Sequence, residues 1–184
     1  MRWQGLFADL EAQFEQAAAA ELAGEVSERT RREAALLRMV DRLRPGAGHP
    51  LVVTVAGHGV LRGRLVDTGC DWLLLEEPGG RELLVPLAAV LGVSGLGVRT
   101  AGPGTEGAVV KRLDLRWALR GLARGRTGMA VGLVDGSLVT GTLDRVGADH
   151  LDLAEHGLGE ARRVAAVRQV RMVPLAAVAV IRSG

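Results

Sequence analysis

Cysteine and lysine each occur once among the 184 residues, and tyrosine is absent. A single cysteine, Cys70, excludes a disulfide framework and a cysteine zinc site. It sits in a predicted turn with no cation beside it in sequence, which marks a small neutral residue rather than an activated thiol. With no Tyr, two Phe and three Trp, and both Phe within the first 14 residues, little aromatic surface is left on which nucleic-acid bases could stack. No apolar run is long enough to span a bilayer. Residues 1–28 carry acids where a secretory leader needs a basic start and an apolar stretch. The expectation is a soluble cytoplasmic protein with no membrane partner. The four serines, Ser27, Ser94, Ser137 and Ser183, belong to no recognisable catalytic motif. Asp149, His150, Asp152, Glu155 and His156 are close in sequence, but on a strand His150 and Asp152 face away from Asp149, so they do not converge on a metal. The chain is therefore expected to be non-enzymatic, with no catalytic residues, no metal and no cofactor.

What the chain does have is a repeat. Val85-Pro86-Leu87-Ala88-Ala89-Val90 returns as Val173-Pro174-Leu175-Ala176-Ala177-Val178. Upstream, Gly63, Leu65, Gly69, Asp71, Leu73, Leu75 and Glu77 recur 78 positions later. A fixed spacing of this kind marks a duplicated structural unit. The same spacing relates Leu37, Arg38 and Arg42 to Leu115, Arg116 and Arg120. Ten extra residues enter the second copy between Glu155 and Pro174, and a longer hairpin around His156 to Arg168 is where they are expected.

Residues 2–44 read as helix: Ala, Glu, Leu, Gln and Arg dominate, and Gly24 either bends one helix or separates two. Trp3, Phe7, Leu10 and Phe14 form one apolar stripe, and Leu36, Leu37, Val40 and Leu43 continue an apolar face as far as Pro45-Gly46. From Pro50 the period changes to two. Short strands are predicted around Val53–Val55, Val60–Asp67, Trp72–Glu77, Glu82–Val85 and Val90–Val93, with a single helical turn at Pro86–Ala88. Gly63, inside the second strand, marks a sharp bend or a close backbone approach. Residues 95–107 read as a linker. Gly102-x-Gly104-x-x-Gly107 matches a dinucleotide fingerprint in form only, with Pro103 inside it and no acid about 20 positions on. Residues 109–125 are predicted to form the helix of the second copy. Each copy is thus one helix plus five short strands.

That arrangement resembles the Sm-like fold of Sm, LSm and Hfq proteins over residues 33–94 and 111–182. The resemblance rests on the polar turns Gly57-His58-Gly59 and Asp135-Gly136-Ser137, the strand glycines Gly63 and Gly141, and the Gly-x-Asp-x-Leu-x-Leu strands at 69–75 and 147–153. SH3-like and PRC barrels use similar glycines, and the whole chain also resembles a protein family of high-GC bacteria. The resemblance implies an α+β, mostly β chain. Its parts would be an N-terminal helical segment (1–44), a first Sm-like barrel (45–94), a Gly-rich linker (95–108), and a second helix and barrel (109–184). It also implies joining through strand edges. The uridine-binding motifs of Sm proteins need an Asn where this chain has Asp67-Thr68-Gly69-Cys70 and Arg145-Val146-Gly147-Ala148. Hfq places Lys-His where this chain has Pro86-Leu87 and Pro174-Leu175. Neither RNA site carries over.

Charge supplies the remaining candidates. Residues 1–28 hold six acids against Arg2, a net −5, and residues 29–44 are net +4. Asymmetry of this kind marks a partner surface or two segments that attract each other. Arg112, Arg116, Arg120 and Arg124 are spaced by four, and like charges at that spacing repel by roughly 0.2–0.5 kcal/mol per pair, so a compensating partner is expected. With Arg38 and Arg42 they form the candidate nucleic-acid-binding set, RNA first, reading phosphates rather than bases. Arginine is common throughout the chain, and a solvated face or a pairing with the acidic N-terminal helix competes with that reading. The alternative function is a protein-interaction or assembly module using the barrel edges and the N-terminal helix, with a homo-oligomer joined through strand edges or through that helix. Trp72 and Trp117 are expected in the core or at an interface.

Overall fold

The computed structural model describes residues 2–102, 112–158 and 167–183, with side chains from residue 13 onward. Two compact units are present, Met1–Arg38 and Met39–Gly184. The first is helix α1, Arg2–Ala35, which runs through Gly24 without a break. Every described α1 side chain is exposed, Phe14 at 81% included. Ion pairs one turn apart, Arg29–Glu33 and Arg32–Glu28, brace its surface. The helix ends ten residues before Pro45, with Leu36 exposed just after it, and the predicted apolar face continues only in the second unit. There Val40 and Leu43 are buried in the short helix α2, Met39–Leu43.

The second unit is mostly antiparallel β. Its strands are β1 Pro50–Val55, β2 Gly59–Thr68, β3 Trp72–Glu76, β4 Glu82–Pro86, β5 Val90–Ser94, β6 Gly128–Leu133, β7 Leu138–Val146, β8 His150–Glu155, β9 Gln169–Pro174 and β10 Val178–Ser183; helix α3 spans Leu115–Gly125. All ten strands belong to one sheet, in the order β5-β1-β2-β3-β4-β10-β6-β7-β8-β9. This overturns the expected pair of helix-plus-five-strand barrels: the sheet is continuous and does not close. The physical reason lies at β4. Its outer edge is taken by β10, the last strand of the other half, through Leu84↔Ile181 and Leu83↔Arg182. The cores cross the same junction. Ala179 and Val180 of β10 pack with Leu73, Leu83 and Val85, whereas Trp72 and Leu84 pack with Leu119, Met129 and Leu151. His58, in the β1–β2 turn, adds a further tie by donating from Nε2 to the Leu133 carbonyl at 2.9 Å.

The repeat is legible in the hydrogen bonding. Both halves share the internal strand order fifth-first-second-third-fourth. The β2–β3 register slips between Leu65 and Asp67, and the β7–β8 register slips between Leu143 and Arg145. The Leu87 amide donates to the Asp71 carbonyl, and the Leu175 amide to the Asp149 carbonyl, both at 2.8 Å. Gly63 and Gly141 lie inside β2 and β7. A Cβ on Gly63 would sit 2.7 Å from the Glu76 carbonyl oxygen, and one on Gly141 would press closer still on the carbonyl of Ala154. The strand glycines are therefore demanded by the approach of the next strand, because backbone on the far side cannot yield as a side chain can. G63A and G141A should each cost about 1–3 kcal/mol, with G141A the worse of the two. Urea unfolding of the two variants checks the magnitude and the order.

Candidate functional site

Helix α3 and the junction beneath it hold most of the chain's unassigned chemistry. The helix is held from two directions. Asp114 is its N-cap, with Oδ1 accepting from the Trp117 amide at 2.8 Å. Asp71, on the β2–β3 turn of the other half, accepts from the Leu115 amide at 2.7 Å. Trp72 Nε1 donates to the Leu113 carbonyl at 2.9 Å, and the Cys70 amide donates to the same carbonyl. Burial pushes the Cys70 thiol up, and Asp71 and Asp114 add to the effect, so this turn favours the neutral thiol over a thiolate nucleophile. Burial acts on Asp114 in the opposite sense to its partners. The Trp117 amide, Arg116 and Arg120 prevail and hold its carboxyl below the ordinary value.

The predicted arginine set is only partly brought together. The expected helix over 109–125 begins at Leu115, and 109–111 lie outside the described residues. Arg112 therefore precedes the cap and does not share the helical row. Arg116, Arg120 and Arg124 are exposed on successive turns of α3. Arg116 pairs with Asp114 at 2.6 Å and reaches the Ala148 carbonyl at 3.5 Å. Arg42 is turned inward to its own chain, donating to the carbonyls of Gly97, Val98 and Arg99 at 3.1–3.4 Å. It thereby holds the segment after β5. Arg38 lies in the stretch between α1 and α2 and has an interaction partner.

The histidines serve the fold. His156 is buried, with Nε2 against the Thr142 hydroxyl at 2.8 Å and Nδ1 donating to the Gly157 carbonyl. His150 bonds Asp149 at 2.8 Å, and this lowers the Asp149 carboxyl. Among the described residues no group of three His, Cys, Asp or Glu side chains could hold a metal ion. No described helix is long and apolar enough to cross a membrane. The predicted insertion hairpin, His156 to Arg168, falls largely on residues 159–166, outside the described set.

An apolar groove of about 310 Å³ opens between α3 and the β4–β10 junction. Trp72 and Leu84 line it from one half; Trp117, Leu122, Met129 and Ile181 line it from the other. Trp72 is buried and Trp117 is 51% exposed. Nothing local in the sequence links the two tryptophans, which stand 45 positions apart. The available signal was the mismatch between copies, Trp72 answering to His150 and Trp117 to Met39. Comparisons with protein-family models, curated proteins and solved structures find no match.

D114A should cost about 1 kcal/mol through the lost cap. Because the folded carboxyl is lowered, the stabilisation it supplies is fully present above the unfolded value of about 3.9 and is lost as pH falls through the lower folded value. Thermal melts of wild type and D114A should therefore converge on acidification below about pH 4.

Proposed function

We propose that the chain is a non-enzymatic assembly module that joins copies of itself head to tail through β9 and β5. One observation carries this reading. β9 holds in the second half the place that β4 holds in the first, and β5 corresponds in the same way to β10. Within the chain β4 and β10 are paired, whereas β9 and β5 are the two ends of the sheet. The open edges are thus copies of two edges that already fit. The ten extra residues of the second copy lengthen the spacing from 78 to 88 in the fourth and fifth strands, which places Met172 of one copy opposite Val93 of the next, as Leu84 stands opposite Ile181, and Arg171 opposite Ser94. The ends carry apolar side chains that an unpaired edge ordinarily avoids: Val170 is 60% exposed, Met172 67% and Leu91 71%. A junction of unlike surfaces closes into a ring or continues as a filament.

A second reading keeps a polyanion such as RNA on the outer face of α3. It is supported by Arg120 and Arg124, whose side chains make no ion pair among the described residues. Contacts of that kind weaken steeply with salt and ignore base sequence.

Light scattering of the full chain should show a mass above the monomer that grows with concentration. V170K/M172K should return it to monomer with little change in melting, since both side chains are exposed. A monomer at all concentrations, or a double variant that assembles undiminished, would overturn the assembly reading. Salt-sensitive RNA binding lost in R116E/R120E, by a monomeric protein, would favour the second reading instead.

A further inference from the structure

We propose that the groove at the β4–β10 junction is a binding site for a small organic cation with an apolar body. The wall is almost wholly apolar and presents two tryptophans, one of them half exposed. Indole faces attract cations through the ring quadrupole, more strongly than any other side chain. Glu82 is the one ionisable side chain among the described residues that line it. It lies on the same face of β4 as Leu84. Its neighbour across the strands, Glu76, is neutralised by Arg64. The Glu82 carboxylate has no such partner among the described residues. A carboxylate at the rim of an apolar, tryptophan-lined groove complements a positive charge carried on a hydrophobic frame. The volume of the groove falls at the small end of ligand pockets, which occur preferentially where structural units meet.

The repeat argues that this chemistry belongs to the site and not to the fold. At the corresponding positions of the two sheet ends, Trp72 is replaced by His150, Leu74 by Asp152 and Glu82 by Val170 at the β9 end, and Trp117 by Met39 in the half that ends in β5. Both tryptophans and the carboxylate therefore occur only at the internal junction. Gly121 makes the space. Its counterpart in the first copy is Leu43, a core residue, whereas a Cβ on Gly121 would meet nothing nearer than the Arg124 guanidinium at 3.9 Å. Arg124 thus brings a positive charge to the α3 rim, and the bound cation sits at the Glu82 end, away from it.

Calorimetric titration of the full chain with benzyltrimethylammonium, alongside its uncharged carbon isostere neopentylbenzene, tests the assignment. The cation should bind saturably and quench tryptophan fluorescence, with the isostere weaker by about fivefold or more. E82Q should weaken the cation by a similar factor and leave the isostere unchanged, and R124Q should strengthen the cation. G121L fills the groove while replacing a poor helix former with a good one. It should abolish binding with an unchanged or raised melting temperature, which separates loss of the site from loss of the fold. No saturable binding, equal affinity for cation and isostere, or an E82Q variant that binds as wild type would each overturn the proposal.

Discussion

Two residue pairs, Leu84 with Ile181 and Leu83 with Arg182, carry the sheet from one half of the chain to the other. The hydrogen bonds of so short a ladder are a small part of what it accomplishes, since each contributes only about 1 kcal/mol net. Its larger effect is to set the two cores side by side. Val180 of the last strand then reaches the first core, and Leu84 of the fourth reaches the second. Helix α3 is recruited through the same junction: the turn that begins β3 supplies Asp71 to the α3 backbone and Trp72 to the Leu113 carbonyl. The groove, the cap and the arginine row all take their positions from that contact.

Duplication explains why such a junction exists, and divergence between the copies explains what it became. A unit whose fourth and fifth strands are both open has two edges available for pairing. Joining two units on one chain pairs β4 with β10 and leaves β9 and β5 as the ends of the sheet. The internal pair carries residues the outer pair lacks. Trp72, Trp117 and Glu82 gather around a space that Gly121 leaves open, while His150, Met39 and Val170 stand at the corresponding positions. A surface for copies of the chain and a pocket for a small ligand are thereby proposed for equivalent places in the same architecture.

The electrostatics of α3 show how little of an arginine row survives as free charge once the fold is in place. Arg116 is taken by Asp114, the residue that caps the helix, and Arg42 is spent on three carbonyls of the segment after β5. Arg120 and Arg124 remain on the outer face. Periodicity placed the four arginines of residues 112–124 together because it assumed one uninterrupted helix. A cap three residues before Trp117 ends that assumption.

The sequence by itself determined the repeat, the places of the first five strands and the two strand glycines. All of these follow from local rules: period-two burial, turn residues, and a backbone approach that leaves no room for a Cβ. Val53, Leu73 and Leu151 are buried where alternation put them. The tertiary structure alone decided that the strands form one open sheet, that α1 stops at Ala35, and that Trp72 and Trp117 line one groove. Strand edges carry no label, because any edge offers the same row of amides and carbonyls. Which edge meets which is settled by how the cores pack once ten strands compete for the same apolar surface. A residue's side of a strand is a property of the residue and its neighbours, whereas its partner across a junction is a property of the whole chain.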